Sequence, residues 1–238
     1  MSFTFTGAVV LVTGANGGLG EQFVAQALAR GAAKVYASAR TPREWGDSRI
    51  VPLRLDVTDA ASVEDAVAAA GDVTLVVNNA GISLRDENSL LSSSEESIRR
   101  LFETNFFGAV RVARAFAPVL SGNGGGALID VHSVLSWIGI SGTYSATKAA
   151  LWSATNSFRL ELAPQGTHVL GLHLGYTATP MTVGIEAEMG EAVDVVRSAY
   201  DGLESGEFEV LADQVSADVK AGLAAPITAL YPQLVARV

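Results

Sequence analysis

A chain of 238 residues with 49% hydrophobic content and no linker-like segment fits one domain, residues 1–238, with a sizeable core. Its net charge of −9 and the lack of a basic stripe argue against nucleic acid and against an anionic membrane surface as partners. The absence of cysteine excludes disulfides and thiolate metal sites, and the three histidines lack metal-ligand spacing, so we predict no metal site. The N-terminus lacks the features of a signal peptide, and no apolar run is long enough to span a membrane, so we expect a cytoplasmic protein.

Short runs rich in β-branched residues alternate with longer helical patterns along the chain. The first run, Ala8–Thr13, is apolar on both faces, which is typical of a strand inside a parallel sheet. Further runs of this kind occur at Lys34–Ser38, Ile50–Val57, Val73–Asn78, Ala127–Ser133, His168–Leu174 and Phe208–Ala212. The alternation predicts an α/β fold, a single doubly wound parallel sheet of about seven strands with helices on both faces.

The segments between these runs carry helix signals. Helices are predicted over Leu19–Arg30, Asp59–Ala70, from near Ser92 to about Leu120, and from Tyr144 to Ala163. Thr58 is the expected N-cap of the second helix, and Ser92 and Ser93 offer two overlapping capping boxes with Glu95 and Glu96. In doubly wound sheets, ligands bind at the carboxyl ends of the strands near the reversal of strand order. The residues that follow each strand are therefore the candidates for function.

A glycine-rich turn, TGANGGLG at residues 13–20, joins the first predicted strand to the first helix. Glycines allow a tight turn and a close approach of backbone N–H groups to a pyrophosphate, next to the positive end of the helix. A flexible surface loop is the alternative, but so many glycines would be costly without such a need. The pattern predicts a dinucleotide site whose contacts include Gly14, Asn16, Gly18, Leu19 and Gly20.

The second predicted strand ends with Ala39 and Arg40, where an NAD-binding protein would place a carboxylate on the ribose 2′-hydroxyl. The small alanine leaves room for a 2′-phosphate, and Arg40 supplies a planar cation suited to it, with Arg43 as a second candidate. The alternative is a solvated surface arginine. We therefore expect NADP(H) rather than NAD(H) as the cofactor.

Two more strand ends carry candidate contacts. Asp56, followed by Val57, could accept a hydrogen bond from an adenine amino group, or it could be a turn or cap residue. After the fourth strand, Asn79, Ala80 and Gly81 suit a backbone that passes close to a ribose, although a turn that braces the sheet is equally compatible.

Ser133, Tyr144 and Lys148 follow the fifth predicted strand, and the last two are one helical turn apart. A nearby ammonium favours the phenolate and lowers the pKa of a tyrosine, which makes it a usable acid–base group. Ser133 can hydrogen-bond a carbonyl oxygen and stabilise developing negative charge. Tyr-x-x-x-Lys alone is common, and a surface pair is the alternative, but the preceding glycine loop and sheet favour a catalytic pair.

Taken together, the motifs resemble the short-chain dehydrogenase/reductase family. The matching motifs are TGANGGLG at 13–20, DV at 56–57, NNAG at 78–81, Asn105 in TNFFG, Ser133, YSATK at 144–148, and Gly175 with Thr179 in LGYTATP. They occur in the family's order over about residues 5–212. The resemblance implies a Rossmann-type domain and a catalytic tetrad of Asn105, Ser133, Tyr144 and Lys148, in which Asn105 holds a water that connects Lys148 to solvent.

The resemblance also implies a cofactor loop that includes Gly175, Thr177 and Thr179, with Thr179 on the nicotinamide carboxamide. Ala39 and Arg40 are similar to the family's NADP-preferring members. Two departures stand out. Leu174 replaces the proline that usually precedes Gly175, which makes the turn less rigid, and the segment from Ser133 to Tyr144 is about two residues shorter than usual, which keeps Ser136 as the alternative to Ser133.

These features predict an oxidoreductase that moves a hydride between NADP(H) and a carbonyl or secondary alcohol, of the carbonyl reductase or alcohol dehydrogenase type. A non-catalytic NADP-binding or redox-sensing protein is the alternative. Sugar-nucleotide epimerases are disfavoured because only a short tail follows the last strand. The expected substrate is small and hydrophobic, because the predicted lining is apolar: Leu135, Trp137, Ile138, Ile140, Tyr176, Met181, Val183 and Ile185. Apolar residues on helices near 96–120 and 144–163 predict a homodimer or homotetramer.

Overall fold

The computed structural model describes residues 3–235. Its centre is one parallel sheet of seven strands in the order β3-β2-β1-β4-β5-β6-β7. The strands are β1 Val9–Thr13, β2 Lys34–Ala39, β3 Ile50–Arg54, β4 Leu75–Asn78, β5 Ala127–Val131, β6 His168–His173 and β7 Glu209–Leu211. The predicted doubly wound sheet is confirmed. Six of the predicted strands exist with slightly shorter bounds, and β2 extends one residue further than predicted, to Ala39.

Eight α-helices lie within the described residues. They are α1 Leu19–Ala29, α2 Ala60–Ala69, α3 Glu95–Phe102, α4 Ala109–Gly122, α5 Gly142–Leu162, α6 Ala192–Ser205, α7 Gln214–Gly222 and α8 Ile227–Leu230. A π-helical turn, Glu103–Gly108, joins α3 to α4, so the long helix predicted here is continuous but contains one wider turn. None of the helices in residues 3–235 is both long and apolar enough to cross a membrane.

The predicted N-caps of α2 and α3 are wrong. Asp59 caps α2, with its side chain accepting a hydrogen bond from the N–H of Ala61, because the amide and hydroxyl of Thr58 both donate to Asp56. Ser94 caps α3 and accepts from the N–H of Ser97 at 3.1 Å. The preceding serines belong instead to a turn closed by backbone and side-chain bonds to Ser89.

Side chains leave each central strand toward two separate hydrophobic layers. In β1, Val10 and Val12 pack into one layer and Leu11 into the other, as the two-residue period of a strand requires. The first layer includes residues of α1 and α6, and the second includes residues of α2, α4 and α5. The helices thus cover both faces of the sheet. The strand order reverses between β1 and β4, so the crevice for a ligand lies at the carboxyl ends of these strands.

Candidate active site

A groove of about 520 Å³ opens at the carboxyl ends of β1 to β4 and is closed on one side by α3 and the π-helical turn. Seven of the predicted cofactor-binding residues line it: Gly14, Asn16, Arg40, Asp56, Val57, Ala80 and Gly81. The groove therefore brings together residues from four different strand ends.

The glycine loop is packed too closely for other residues at three of its positions. Gly14 and Gly18 have φ of 67° and 58°, in the left-handed region that favours glycine. A Cβ on Gly20 would lie 2.1 Å from the carbonyl oxygen of Gly14, and one on Gly18 would lie 3.3 Å from Cβ of Thr179. The last contact places Thr179 against the loop, as expected for a residue of the same cofactor site.

Asn79 and Asn16 hold the glycine loop in place. The side chain of Asn79 donates to the carbonyl oxygens of Thr13 and Gly14, and the amide hydrogens of Asn79 and Ala80 reach the Thr13 hydroxyl at 3.0 Å. The side chain of Asn16 donates to the carbonyl of Thr41 at 2.8 Å, which ties the loop to the end of β2. The side chain of Asn79 thus has the bracing role that was one of its two interpretations, while the backbone of Ala80 and Gly81 lines the groove.

Arg40 and Asp56 face the groove from β2 and β3. Arg40 is exposed and makes no ion pair within residues 3–235. Arg43 is not a second free cation, because it pairs with Glu21 at 2.7 Å and stacks on Trp45.

Asp56 combines both roles that its sequence position left open. Its Oδ1 accepts from the amide and the hydroxyl of Thr58, which makes it a turn residue, yet it also lines the groove. Burial raises the pKa of its carboxyl, but the bonds from Thr58 and the charges of Arg40 and Arg54 outweigh burial, so that the pKa lies below its usual value. Asp56 is therefore a carboxylate with one oxygen, Oδ2, left for a ligand.

Tyr144 and Lys148 occupy the first turns of α5. The Lys148 ammonium donates to the carbonyl of Val131 at 2.8 Å and lies 5.8 Å from the centre of the Tyr144 ring. Burial lowers the pKa of Lys148 to about 8, against the opposing effect of the Asp130 charge. Tyr144 is half-buried, and desolvation in the site raises its pKa to about 12. Within the polypeptide alone, burial thus outweighs the expected effect of the ammonium on the phenol.

Asn105 lies in the π-helical turn, a type of irregularity that is frequent at functional sites. Its amide group donates to the carbonyl of Ile82 and to the Thr147 hydroxyl, and its Oδ1 accepts from the N–H of Ile82 at 2.8 Å. A Cβ on Gly81 would lie 3.3 Å from this oxygen and 3.9 Å from the Lys148 nitrogen. Asn105 and Lys148 therefore border the same space beside Gly81.

Ser133 follows β5 and begins a short turn, Val134–Ser136, that packs on α5. Its hydroxyl oxygen accepts a hydrogen bond from the N–H of Leu135 at 3.1 Å, so the hydroxyl hydrogen remains free to donate. Ser136, the alternative serine, is buried and its hydroxyl accepts from the N–H of Ser133. Ser133 is buried as well, and each of the two hydroxyls accepts one backbone N–H, so the choice of Ser133 over Ser136 stays a prediction.

The loop after β6 closes the other side of the site. Asp213, the N-cap of α7, accepts from the N–H of Gly175 at 2.5 Å, and the buried Thr177 forms a bridge with Gly190. Arg85, in the loop after β4, donates to the carbonyls of Met181 and Val183 and so ties the two loops together.

Sequence reasoning missed several residues around the site. Arg85 gave no signal because its partners lie almost one hundred positions away along the chain. Asp130 and His173 were read as ordinary strand residues, yet both are fully buried directly behind the site. A charged or polar residue in an apolar strand was the available signal for both.

Comparison with known proteins gives a consistent result. A sequence model described as short chain dehydrogenase matches residues 8–190. A short chain dehydrogenase from Burkholderia cenocepacia J2315, solved in complex with NADP, is 34% identical, covers 98% of this chain and 99% of its own, and superposes with a TM-score of 0.91. A short-chain dehydrogenase from Sphingobium yanoikuyae in complex with NADPH is 25% identical over 97% and 96% of the two chains, with a TM-score of 0.79.

Among curated proteins, the 3-oxoacyl-[acyl-carrier-protein] reductase of Escherichia coli (strain K12) is 33% identical over 190 residues, which cover 75% of this chain and 77% of the relative. The family match spans most of the sheet and every motif from the glycine loop to Thr179. The chain belongs to the short-chain dehydrogenase family.

Proposed function

We propose that this chain is an NADP(H)-dependent oxidoreductase that interconverts a carbonyl and a secondary alcohol, with Tyr144 as the acid–base catalyst. The observation that carries the proposal is the pairing of Tyr144 with Lys148 on α5, which packs against the turn after Ser133 at the carboxyl end of β5. The nicotinamide supplies or accepts the hydride, and the polypeptide supplies binding, orientation and the proton.

The groove at the strand ends fits a dinucleotide. The glycine loop, residues 14–20, would bind the pyrophosphate through backbone N–H groups at the start of α1. The conformation and close packing of the loop require glycine at three positions, so no side chain blocks the backbone there. Arg40, which has no ion-pair partner within residues 3–235, would bind the 2′-phosphate. NADP and NADPH in the two similar structures support this choice.

The remaining contacts follow from the positions of side chains at either end of the groove. Asp56 Oδ2 and the backbone at Val57 would meet the adenine. Thr179, which lies against Gly18, would meet the nicotinamide carboxamide, and Gly175 and Thr177 shape the same loop.

The chain's own groups divide the proton chemistry between them. A phenol with a raised pKa is neutral at physiological pH, which is the form that Tyr144 needs to give a proton to the substrate oxygen during reduction. Ser133 would donate its free hydroxyl hydrogen to the same oxygen. Lys148, held by Val131, would return a proton to Tyr144, and the second lone pair of Asn105 Oδ1 would hold the water that supplies Lys148.

The segments beside the proposed catalytic residues expose apolar side chains. Ile140 lies between Ser133 and Tyr144, and Tyr176, Met181 and Val183 lie in the loop after β6. We therefore propose a small hydrophobic carbonyl compound or alcohol as the substrate. The E. coli relative is named for a substrate on an acyl carrier protein, and such a substrate is the second candidate within the same chemistry.

We also propose a homodimer or homotetramer. Of the apolar residues on these helices, Phe116 and Leu151 are buried in the protomer, as expected for the side that covers the sheet. Phe107 remains 50% exposed on the π-helical turn, and Leu160 is 79% exposed on α5, so these two helical segments retain an apolar outer surface.

Loss of NADPH absorbance with a panel of ketones, aldehydes and a 3-oxoacyl thioester tests the proposal, with NADH in parallel and Tyr144→Phe as the control. We expect turnover with apolar ketones, and a fall in kcat of about 10²–10⁴-fold for Tyr144→Phe with NADPH binding close to wild type. NADPH binding without turnover on any compound would favour the non-catalytic alternative.

A further inference from the structure

Two buried histidine rings and the partly buried ring of Trp137 form a stack directly behind Ser133. The ring of Trp137 lies parallel to that of His173, with centroids 3.9 Å apart and an interplanar angle of 15°, and His132 lies 4.8 Å from His173 on centroids. Trp137 is also held edge-on by Trp152 of α5, at 6.3 Å. The stack thus joins the ends of β5 and β6 to the short segment that leads from Ser133 to Tyr144.

The stack contacts the backbone of Ser133 through one polar bond. His173 Nδ1 lies 3.3 Å from the carbonyl oxygen of Ser133. A carbonyl only accepts, so Nδ1 must carry the hydrogen in this bond. Burial lowers the pKa of His173 to about 4, so at neutral pH the ring is uncharged and has a single N–H, which this bond commits to Ser133.

Burying the His173 imidazole in this space has a free-energy cost. Within residues 3–235, His173 Nε2 and Trp137 Nε1 are buried without hydrogen-bond partners: the Glu209 carboxylate lies 3.6 Å from Nε2, beyond hydrogen-bond distance, and is itself paired with Lys220. A buried polar atom without a partner costs about 1–3 kcal/mol, and an apolar side chain of the same volume would avoid that cost. The bond to Ser133 and the stacking with Trp137 are what the imidazole provides and an apolar residue would not.

We propose that His173, clamped by Trp137, is a positioning residue that sets the orientation of the Ser133 hydroxyl. The carbonyl of Ser133 accepts from His173 and also, at 2.9 Å, from the N–H of Ser136. The N–H of Val134 donates to the carbonyl of Leu174 at 2.8 Å, and the N–H of Leu135 then reaches Ser133 Oγ. The backbone on both sides of the hydroxyl is therefore held before any substrate arrives. The catalytic part of this inference rests on the function proposed above.

Substitutions of His173 separate this role from simple packing. Asparagine places an amide N–H where His173 has Nδ1, leucine fills a similar volume without a donor, and glutamine moves the donor further out. A displacement of about 1 Å at a reacting group can cost about 10²-fold in rate. We expect His173→Leu and His173→Gln to lower kcat about tenfold to a hundredfold with KM for NADPH unchanged, and His173→Asn to restore most of the loss.

The same substitutions in a Ser133→Ala background complete a double-mutant cycle. If His173 acts through Ser133, His173→Leu lowers kcat no further once the hydroxyl is gone. An equal additional loss in that background, or no rescue by asparagine relative to glutamine, would overturn the proposal.

Hydrogen exchange gives a readout that does not depend on turnover. The N–H of Leu135 is bonded to Ser133 Oγ, so its exchange rate reports the hydroxyl position. We expect faster exchange at Leu135 in His173→Leu and His173→Gln but not in His173→Asn, with amides of α1 unchanged in all three. Unchanged exchange at Leu135 in all three variants would refute the positioning role. If the wild-type protein showed no turnover but the variants showed the expected exchange rates, the proposed reaction would be rejected and the positioning role of His173 would stand.

Discussion

Of two glycines in the same loop, Gly20 should be sensitive to substitution by alanine and Gly17 should not. A Cβ on Gly20 would lie 2.1 Å from the carbonyl oxygen of Gly14 and 2.9 Å from Cα of Ala15. Carbon and oxygen ordinarily meet at about 3.3–3.6 Å, so the overlap is on the order of 1 Å and involves backbone, which has no rotamer to change. At Gly17 no atom lies within 4 Å of the added Cβ, and φ is outside the left-handed region.

The magnitude for Gly20→Ala combines two opposing effects on the free energy of unfolding. Gly20 lies in the first turn of α1, where alanine is favoured over glycine by about 0.5–1 kcal/mol. Overpacking against a fixed backbone costs about 1–3 kcal/mol or more, so we expect a net loss on the order of 1–2 kcal/mol. Relief of the clash moves Gly14 and the start of α1, and loss of one charge-assisted bond to the pyrophosphate weakens NADPH binding about tenfold to a hundredfold.

Fluorescence titration with NADPH and thermal unfolding in the absence of cofactor measure the two effects separately. Gly17→Ala should match the wild type in both measurements and serves as the control for an added methyl group in this loop. If Gly20→Ala bound NADPH as tightly as Gly17→Ala while remaining folded, the close packing of the loop would not be what positions the pyrophosphate, and the reasoning would be wrong.

Four further changes test other parts of the site. Arg40→Ala should reduce the preference for NADPH over NADH in kcat/KM about tenfold to a hundredfold, because it weakens the binding of NADPH alone. An equal loss of kcat/KM with NADH would contradict a 2′-phosphate contact. Lys148→Ala should lower kcat and weaken NADPH binding, measured by steady-state kinetics and titration, because we expect its ammonium to contact the cofactor ribose as well as to act on Tyr144. Unchanged binding would contradict the ribose contact. Asp130→Asn should raise the melting temperature at pH 8 by about 2–4 °C but not at pH 4. Burial raises the pKa of Asp130 in the folded state. The protonated carboxyl therefore contributes stability below the pKa of the unfolded state, and this contribution is lost as the pH rises through the pKa of the folded state. Phe107→Glu should shift the mass found by light scattering toward the protomer if the π-helical surface is an interface, whereas an unchanged mass would place the interface elsewhere.

The sequence was most informative where function needs a backbone shape. The glycine loop, the small residues after β4 and the Tyr144–Lys148 spacing are local patterns, and local patterns are visible along a chain. A parallel sheet of about seven strands with helices on both faces followed from the alternation of short apolar runs with helical segments. The positions of Arg40 and Asp56 at neighbouring strand ends then followed from the parallel sheet.

Other features depend on contacts that no local pattern records. Three consecutive serines before α3 are equivalent as caps, and only the turn built on Ser89 moves the helix start to Ser94. The π-helical turn around Asn105 lies between α3 and α4, in a segment that the sequence pattern predicts as one helix. The pKa of Tyr144 depends on how deeply the phenol is desolvated, which the spacing to Lys148 does not reveal.

The placement of Tyr144 and Lys148 depends on the hydrogen bonds that join α5 to β5. Lys148 donates to the carbonyl of Val131, and Thr155, seven residues further along the same face, contacts the carboxyl of Asp130 at 2.7 Å. The single hydroxyl hydrogen of Thr155 also has the carbonyl of Leu151 within reach at 2.9 Å, so a protonated Asp130 would let both bonds form, in keeping with its raised pKa. Two polar bonds to adjacent strand residues fix the rotation of α5. That rotation places the proposed catalytic pair beside Gly81, at the edge of the groove.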